Sequence, residues 1–246
     1  MAHVELIGPP GSGKTTLKKS ICNRYDLKGS EEKVRIATIE KTVQSARLAS
    51  LLSRLIPKKI SNSMWSKELR YKTVYSFLLD QPELLKCILT IREETPRDPD
   101  RVTKAYLDVG AKTNWLQSRT GLQSVVFDEG LCQYGLVAIE ASEYSGSDTY
   151  EVYVNLIPAP DLLIRTDCDG ETCIDRQEER QKGRTSSTEA LTKQEAIAKM
   201  ERDRDRHADI LQKMSERGSE VLSLRTDELE PSTCLDQAGE ALRAVR

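Results

Sequence analysis

The chain has 246 residues, with 37 Lys and Arg against 39 Asp and Glu for a formal net charge of −2. This length suits one large domain or two small ones, and the charge balance gives no electrostatic reason to expect nucleic acid as a partner. Hydrophobic residues make up 38% and charged residues 31%. No apolar run approaches the ~20 residues of a membrane span, so a soluble protein is expected.

Lys14 and the glycines around it interrupt the apolar start of the chain, which argues against a secretory leader. Six cysteines (Cys22, Cys87, Cys132, Cys168, Cys173, Cys234) contain no Cys-x-x-Cys pair, and the histidines are only His3 and His207. Free thiols in a reducing cytoplasm fit this better than a zinc site, so a cytoplasmic location is expected.

In chain order, His3-Val4-Glu5-Leu6-Ile7 reads as a strand and Lys14 to about Tyr25 as a helix with Leu17, Ile21 and Tyr25 on one face. Val34 to Ile39 alternates like a second strand and ends at Glu40. Helical spacing then runs up to Pro57, from Ser66 to Leu79, from Pro82 to about Glu94 and from Asp100 to Ser118. The whole helical insert, about 41–118, is expected to pack over the C-terminal edges of the strands. Ser124 to Phe127 is a third strand, followed by a mixed region to Ile157. Asp161 to Arg165 is a fourth strand, Lys193 to Glu216 a long charged helix, Glu220 to Leu224 a fifth strand and Ser232 to Arg246 a last helix. Short strands alternating with helices imply an α/β fold: one domain over 1–246 with a five-stranded parallel sheet flanked by helices.

Between the first strand and the first helix lies Gly8-Pro9-Pro10-Gly11-Ser12-Gly13-Lys14-Thr15, which fits G-x-x-x-x-G-K-[ST]. Strand, glycine loop and helix together make a phosphate site. Glycines let successive N–H groups point inward at phosphate oxygens, and the helix N-terminus adds its positive dipole end. The expected cradle is Gly8, Pro9, Pro10, Gly11, Ser12, Gly13, Lys14, Thr15 and Thr16. Lys14 is placed to reach the β and γ phosphates, and Thr15 to hold Mg²⁺ through its hydroxyl.

Asp128 ends the third strand, where a carboxylate could hold Mg²⁺ through water or accept a proton from a substrate hydroxyl. The competing reading is a turn residue capping the next helix. Glu129 could polarise water, orient substrate or cap. Glu40 ends the second strand at the sheet edge where ligands bind, so it could face an acceptor or simply begin a solvated helix. Arg176, Arg180 and Arg184 recur every four residues, and on a helix the first two share a face. Converging on a triphosphate, they would neutralise charge spread during phosphoryl transfer. The alternative is a surface helix paired through Asp175 and Glu179. Cys168 and Cys173 read as inert thiols near this segment.

The N-terminal P-loop, the carboxylate after the second strand, the strand ending in Asp128-Glu129-Gly130, and a strand followed by Arg-x-x-x-Arg-x-x-x-Arg together resemble the thymidylate kinase and deoxynucleoside kinase group of P-loop kinases. The resemblance covers nearly the whole chain, and its specific element is the P-loop. It implies phosphoryl transfer from ATP with Mg²⁺. Arg176, Arg180 and Arg184 would be lid arginines within a lid of about 176–192, and Glu40 would lie near an acceptor bound between the sheet and the helical insert. Those kinases usually carry an arginine after the acidic residue of the third strand, whereas this chain has Glu129-Gly130. The acceptor is therefore a nucleoside, a nucleotide or another small hydroxyl compound. Expected partners are this acceptor and, as one option, a second copy in a homodimer; neither nucleic acid nor a membrane is expected.

The alternative is a Mg-ATP hydrolase or nucleotide-dependent switch using Asp128 and Glu129 as a Walker B pair. Against it, no Leu-Ser-Gly-Gly-Gln stretch lies between the P-loop and Asp128, and no Asn-Lys-x-Asp guanine motif occurs. A third reading is a non-catalytic nucleotide-binding regulator.

Overall fold

The computed structural model describes residues 2–25, 27–29, 70–117, 124–180, 183–185 and 187–245. Its centre is a parallel sheet in the order β2-β3-β1-β4-β5. The strands are β1 (His3–Ile7), β2 (Lys28–Gly29), β3 (Val125–Phe127), β4 (Leu162–Asp167) and β5 (Glu220–Arg225). Four of these fall where the alternating apolar runs put them. β2 is a two-residue ladder beside Val125 and Val126, and the expected strand Val34–Ile39 lies outside the described residues, as does Glu40.

The middle strand, β1, pairs with β3 through Val4 and Val126 and with β4 through Val4 and Leu162. All five of its residues are buried, as a strand covered on both faces requires. The chain leaves β1 toward β3 and β2 on one side and β4 and β5 on the other. The carboxyl end of β1 therefore opens at the topological switch point, where ligands bind in open α/β sheets.

The described helices are α1 (Lys14–Arg24), α2 (Arg70–Asp80), α3 (Pro82–Glu94), α4 (Pro99–Gln117), α5 (Leu131–Ser145), α6 (Thr149–Leu156), α7 (Gly170–Glu178), α8 (Lys193–Glu216) and α9 (Pro231–Ala244). On one face of the sheet, Val4, Leu6, Leu162 and Ile164 pack with Leu17 and Ile21 of α1 and Ala238 and Leu242 of α9. On the other, Ile7 and Leu163 join the larger core of Ile88, Tyr106, Leu131, Tyr153 and Ile210. Each such aliphatic side chain contributes about 1.5–3 kcal/mol on full burial.

The mixed region 131–157 forms two helices, α5 and α6. Eight of the fifteen α5 residues are buried, so it carries little polar face to mark its period. The described part of the helical insert lies mainly against other helices. It docks on α5 and α6, with the Tyr106 ring tilted against Tyr134 and edge-on to Tyr153, and its hydroxyl donating to the Tyr134 carbonyl at 2.7 Å. At its far end α4 reaches the sheet itself, where Trp115 and Leu116 pack against Val125 and Phe127 of β3.

The other boundaries follow local chemistry. Pro82 opens α3, where its missing N–H costs nothing. Thr192 and Glu195 form a reciprocal capping box at the start of α8.

Candidate phosphate-binding site and adjoining cleft

The loop after β1 has the backbone of an anion cradle. Gly8, Gly11 and Gly13 all have left-handed φ angles, 147°, 96° and 92°. Gly11 has a second constraint: a Cβ there would lie closer than 3.0 Å to the main chain of Cys173 in α7. Gly13 is the N-cap of α1 with no side-chain hydrogen bond, so the first N–H groups of the helix stay available to an anion.

Four elements fasten this loop. Gln133 of α5 accepts the Gly8 N–H at 3.1 Å, and Thr166 of β4 meets the Ser12 hydroxyl at 2.7 Å. Gln177 of α7 donates to the Pro10 carbonyl at 2.9 Å, and Thr226, after β5, donates to the Ser12 carbonyl at 2.9 Å. Behind Gln133 stands fully buried His207 of α8, whose Nε2 is 3.1 Å from the Gln133 amide nitrogen. Burial, with Lys14 and Arg165 nearby, pulls the His207 pKa well below the usual value. The ring is therefore neutral and accepts from Gln133. Sequence reasoning missed Gln133, Gln177, Thr166 and His207 as supports. Their signal is position: each polar group sits at the carboxyl edge of a strand or on a helix facing that edge.

Lys14 bonds to the Gly8 carbonyl and, at 3.1 Å, to that of Pro9. Burial lowers its pKa to about 8, against the opposing pull of Glu129, Cys173 and Asp128. Thr15 and Thr16 are exposed on the first turn of α1. Asp128 lies just after β3 as expected and does not cap α5. Its Oδ1 instead accepts from Lys18 at 2.5 Å. Lys18 lies three residues beyond Thr15, on the same side of α1, which brings Asp128 to the Thr15 face. One hydroxyl and one carboxylate are the sparse protein share with which Mg²⁺ is commonly held beside phosphates and waters, so Thr15 and Asp128 fit that ion.

The cap of α5 comes from within the sheet. Glu5, fully buried in β1, accepts the N–H groups of Leu131 at 3.2 Å and Cys132 at 2.8 Å and pairs with His3 at 2.9 Å. A Cβ on Gly130 would lie closer than 3.0 Å to the Glu5 carboxylate. The glycine after Glu129, where the resembled kinases carry an arginine, thus has a local cause: the Glu5 carboxylate fills the space a side chain would need.

Beside the loop opens a cleft of about 610 Å³ lined by Arg97, Arg101, Glu129, Gln133, Tyr134 and Lys199, among others. Its size is that of a small-molecule site. Glu129 is exposed within it. Part of its wall is ionic: Glu140 pairs with Arg97 at 2.6 Å and Lys199 at 3.5 Å. Burial, then the charge of Glu129, pushes the Tyr134 hydroxyl up to about 12.

The three expected lid arginines stand in three different settings. α7 ends at Glu178, so Arg176 and Arg180 do not share a helix face. Arg176 is held on the Thr226 carbonyl at 2.8 Å and hydroxyl at 3.2 Å, beside Ser12 and Gly13. Arg184 binds Glu178 and, at 2.9 Å, the Leu191 carbonyl, closing the lid on itself. Arg180 alone is exposed with no side-chain hydrogen bond or ion pair among the described residues, and it lies near enough to lower the Lys14 pKa. Of the insert's basic residues, Arg47 and Arg54 lie outside the described residues, and Arg92 pairs with Asp100 at 3.3 Å.

Compared with solved structures, the chain aligns with deoxyadenosine kinase from M. mycoides, with the products dCMP and a flexible dCDP bound, over 99% of this chain and 100% of that one. The TM-score is 0.50 and the identity 12%. The two chains share a fold. Structures of that enzyme with bound dATP and with bound dCTP each align over 98% of this chain and 99% of theirs, at TM-scores of 0.47 and 0.48 and identities of 13% and 10%. No protein-family model matches the sequence, and no curated protein is similar to it. No described helix is long and apolar enough to cross a membrane.

Proposed function

We propose that this protein transfers the γ-phosphoryl group of ATP to a small-molecule acceptor, a nucleoside or nucleotide. The observation that carries the reading is the position of Glu129: it lines a cleft that adjoins the P-loop through Gln133, and its charge reaches Lys14. A hydrolase needs no second cleft of that size beside its carboxylate. The fold of deoxyadenosine kinase supports the same choice.

In this reading Lys14 leaves the carbonyls of Gly8 and Pro9 for phosphate oxygens. Arg180, unpaired among the described residues and near Lys14, neutralises charge on the transferring group. The acceptor hydroxyl attacks the γ-phosphorus, the bond to the β–γ bridging oxygen breaks, and ADP leaves. We assign the hydroxyl proton to Glu129, because Asp128 is already engaged by Lys18. Mg²⁺, held by Thr15 and Asp128 when bound, supplies charge neutralisation across the phosphates. Glu40 remains a proposed acceptor contact.

The test is Mg-ATP with a panel of nucleosides, nucleoside monophosphates and sugars, following ADP and the phosphorylated product. ADP release that depends strongly on one nucleoside or nucleotide is expected. Steady hydrolysis indifferent to every acceptor overturns the proposal in favour of an ATPase.

A further inference from the structure

Cys168 and Cys173 are both buried, and their sulfurs lie 2.8 Å apart. A disulfide needs about 2.05 Å, so bonding calls for less than about 1 Å of approach. The two residues bracket the start of α7. Cys168 follows β4, and Cys173 lies in the first turn of the helix with its N–H donating to the Asp169 carbonyl. The main chain of Cys173 presses on Gly11 of the P-loop with no room for a methyl group between them. One turn further on, α7 carries Arg176 and Gln177, which hold Thr226 and Pro10. A bond at this place pulls on the nucleotide cradle itself.

We propose that Cys168 and Cys173 are a modification site, a dithiol that peroxide converts reversibly to a disulfide, and that closing the bond weakens nucleotide binding at the P-loop. The electrostatics favour Cys168 as the first nucleophile. The Cys173 thiol donates to it and Arg176 lies nearby, so its pKa is lowered, while that of Cys173 is raised by the same hydrogen bond and by burial. Carboxylates of Asp169 and Asp227 and the Lys14 ammonium also face the pair. The burial of this pair admits only a small oxidant, which selects hydrogen peroxide over bulky disulfides.

The step balances. The Cys168 thiolate attacks one peroxide oxygen, the O–O bond breaks, and the leaving hydroxide takes a proton to become water. The Cys173 sulfur then attacks the Cys168 sulfenic sulfur, the S–O bond breaks, and the second hydroxide leaves with the Cys173 proton. Two thiols and one peroxide give one disulfide and two waters, and a dithiol reductant reverses the reaction by exchange. This inference concerns nucleotide binding alone and stands apart from the identity of the acceptor.

The experiment treats the full-length protein with hydrogen peroxide, blocks remaining thiols and digests with trypsin. Cleavage after Arg165 and Arg176 puts both cysteines in one peptide, Thr166 to Arg176. That peptide is expected to become lighter by two hydrogens and to recover with dithiothreitol. Replacing Cys22 or Cys234 with Ser should leave this change intact, and Cys168→Ser or Cys173→Ser should abolish it. A fluorescent ATP analogue should bind the oxidised protein at least about threefold more weakly and regain its affinity on reduction. Oxygen addition without hydrogen loss, pairing with another cysteine, or equal affinity of both forms in the wild-type protein overturns the proposal. Should Cys173→Ser fail to fold, the peptide mass and the binding of the wild-type protein still decide it.

Discussion

The side-chain amide of Gln177 donates to the main-chain carbonyl of Pro10 at 2.9 Å, while its oxygen accepts from the Thr185 N–H and the Thr188 hydroxyl at 3.2 Å each. One buried side chain thus joins the phosphate loop to the segment that carries the lid. Its loss leaves the Pro10 carbonyl and the Thr185 N–H without a partner, at a cost of about 1–3 kcal/mol. Gln177→Ala should therefore lower the urea midpoint. With the lid untied, it should also raise the share of ADP released without acceptor phosphorylation, measured as the ratio of ADP to phosphorylated product. A stable variant with an unchanged ratio would show that the tether has no part in excluding water.

Glu5 and Gly130 are matched in the same way. Gly130→Ala forces a methyl group into the Glu5 carboxylate and should destabilise by about 1–3 kcal/mol. Glu5→Ala removes the acceptor for the Leu131 and Cys132 N–H groups, at a similar cost. The double variant should lose less than the sum, by more than about 1 kcal/mol in a double-mutant cycle from urea melts, because the methyl then has space. Strict additivity would show that the carboxylate does not dictate the glycine.

What the sequence disclosed and what it hid divide along physical lines. The P-loop was legible because phosphate binding needs glycines and a lysine at fixed spacing, and Asp128 because a carboxylate ending an apolar strand stands out. α8 was legible over its length, from Lys193 to Glu216, because its apolar residues keep helical spacing throughout. α5 was not, because a helix buried on most sides loses the contrast that periodicity measures. Glu5 gave no sign either: a carboxylate inside an apolar strand has a partner only once α5 is placed over it. The arginine spacing misled for a related reason. Turn bonds from the Arg180 N–H to the Gln177 carbonyl and from the Gly183 N–H to the Arg180 carbonyl end the helix that the four-residue repeat implied.

The lowered pKa of Lys14 makes nucleotide binding depend on pH in a defined direction. The folded protein holds this pKa at about 8 against 10.5 for the free group. Below pH 8 the folded chain bears the full cost of a charged, half-buried ammonium. Between 8 and 10.5 the unfolded chain binds more protons, so this group's contribution to stability rises with pH. Nucleotide binding runs the other way, since the phosphates require the cation. Affinity should be level up to about pH 7 and roughly tenfold weaker by about pH 9, with proton uptake on binding visible by calorimetry in buffers of different ionisation enthalpy. Lys14→Met should bind weakly and lose this pH dependence. An affinity that stays flat to pH 10 in the wild-type protein would place the Lys14 pKa well above 8.

The three arginines give the sharpest separation. Arg180 is exposed, unpaired among the described residues, and close enough to act on Lys14. Arg180→Ala should lower turnover by about tenfold or more while changing ATP affinity less than threefold, the signature of an interaction made mainly in the transition state. Arg176 is instead spent on the Thr226 carbonyl and hydroxyl beside the P-loop. Arg176→Ala should weaken ATP binding and lower stability by about 1–3 kcal/mol, because a partly buried carbonyl loses its charged donor. Arg184 is bound to Glu178 and the Leu191 carbonyl within the lid. Glu178 is largely exposed, so that pair contributes only about 0–1 kcal/mol. Arg184→Ala should therefore act mildly on both turnover and affinity. Turnover measured at saturating ATP, together with equilibrium ATP binding, distinguishes the three. Equal loss of turnover in all of them would mean that the lid closes on nucleotide by breaking the contacts of Arg176 and Arg184, and that the arginines work as one set after all.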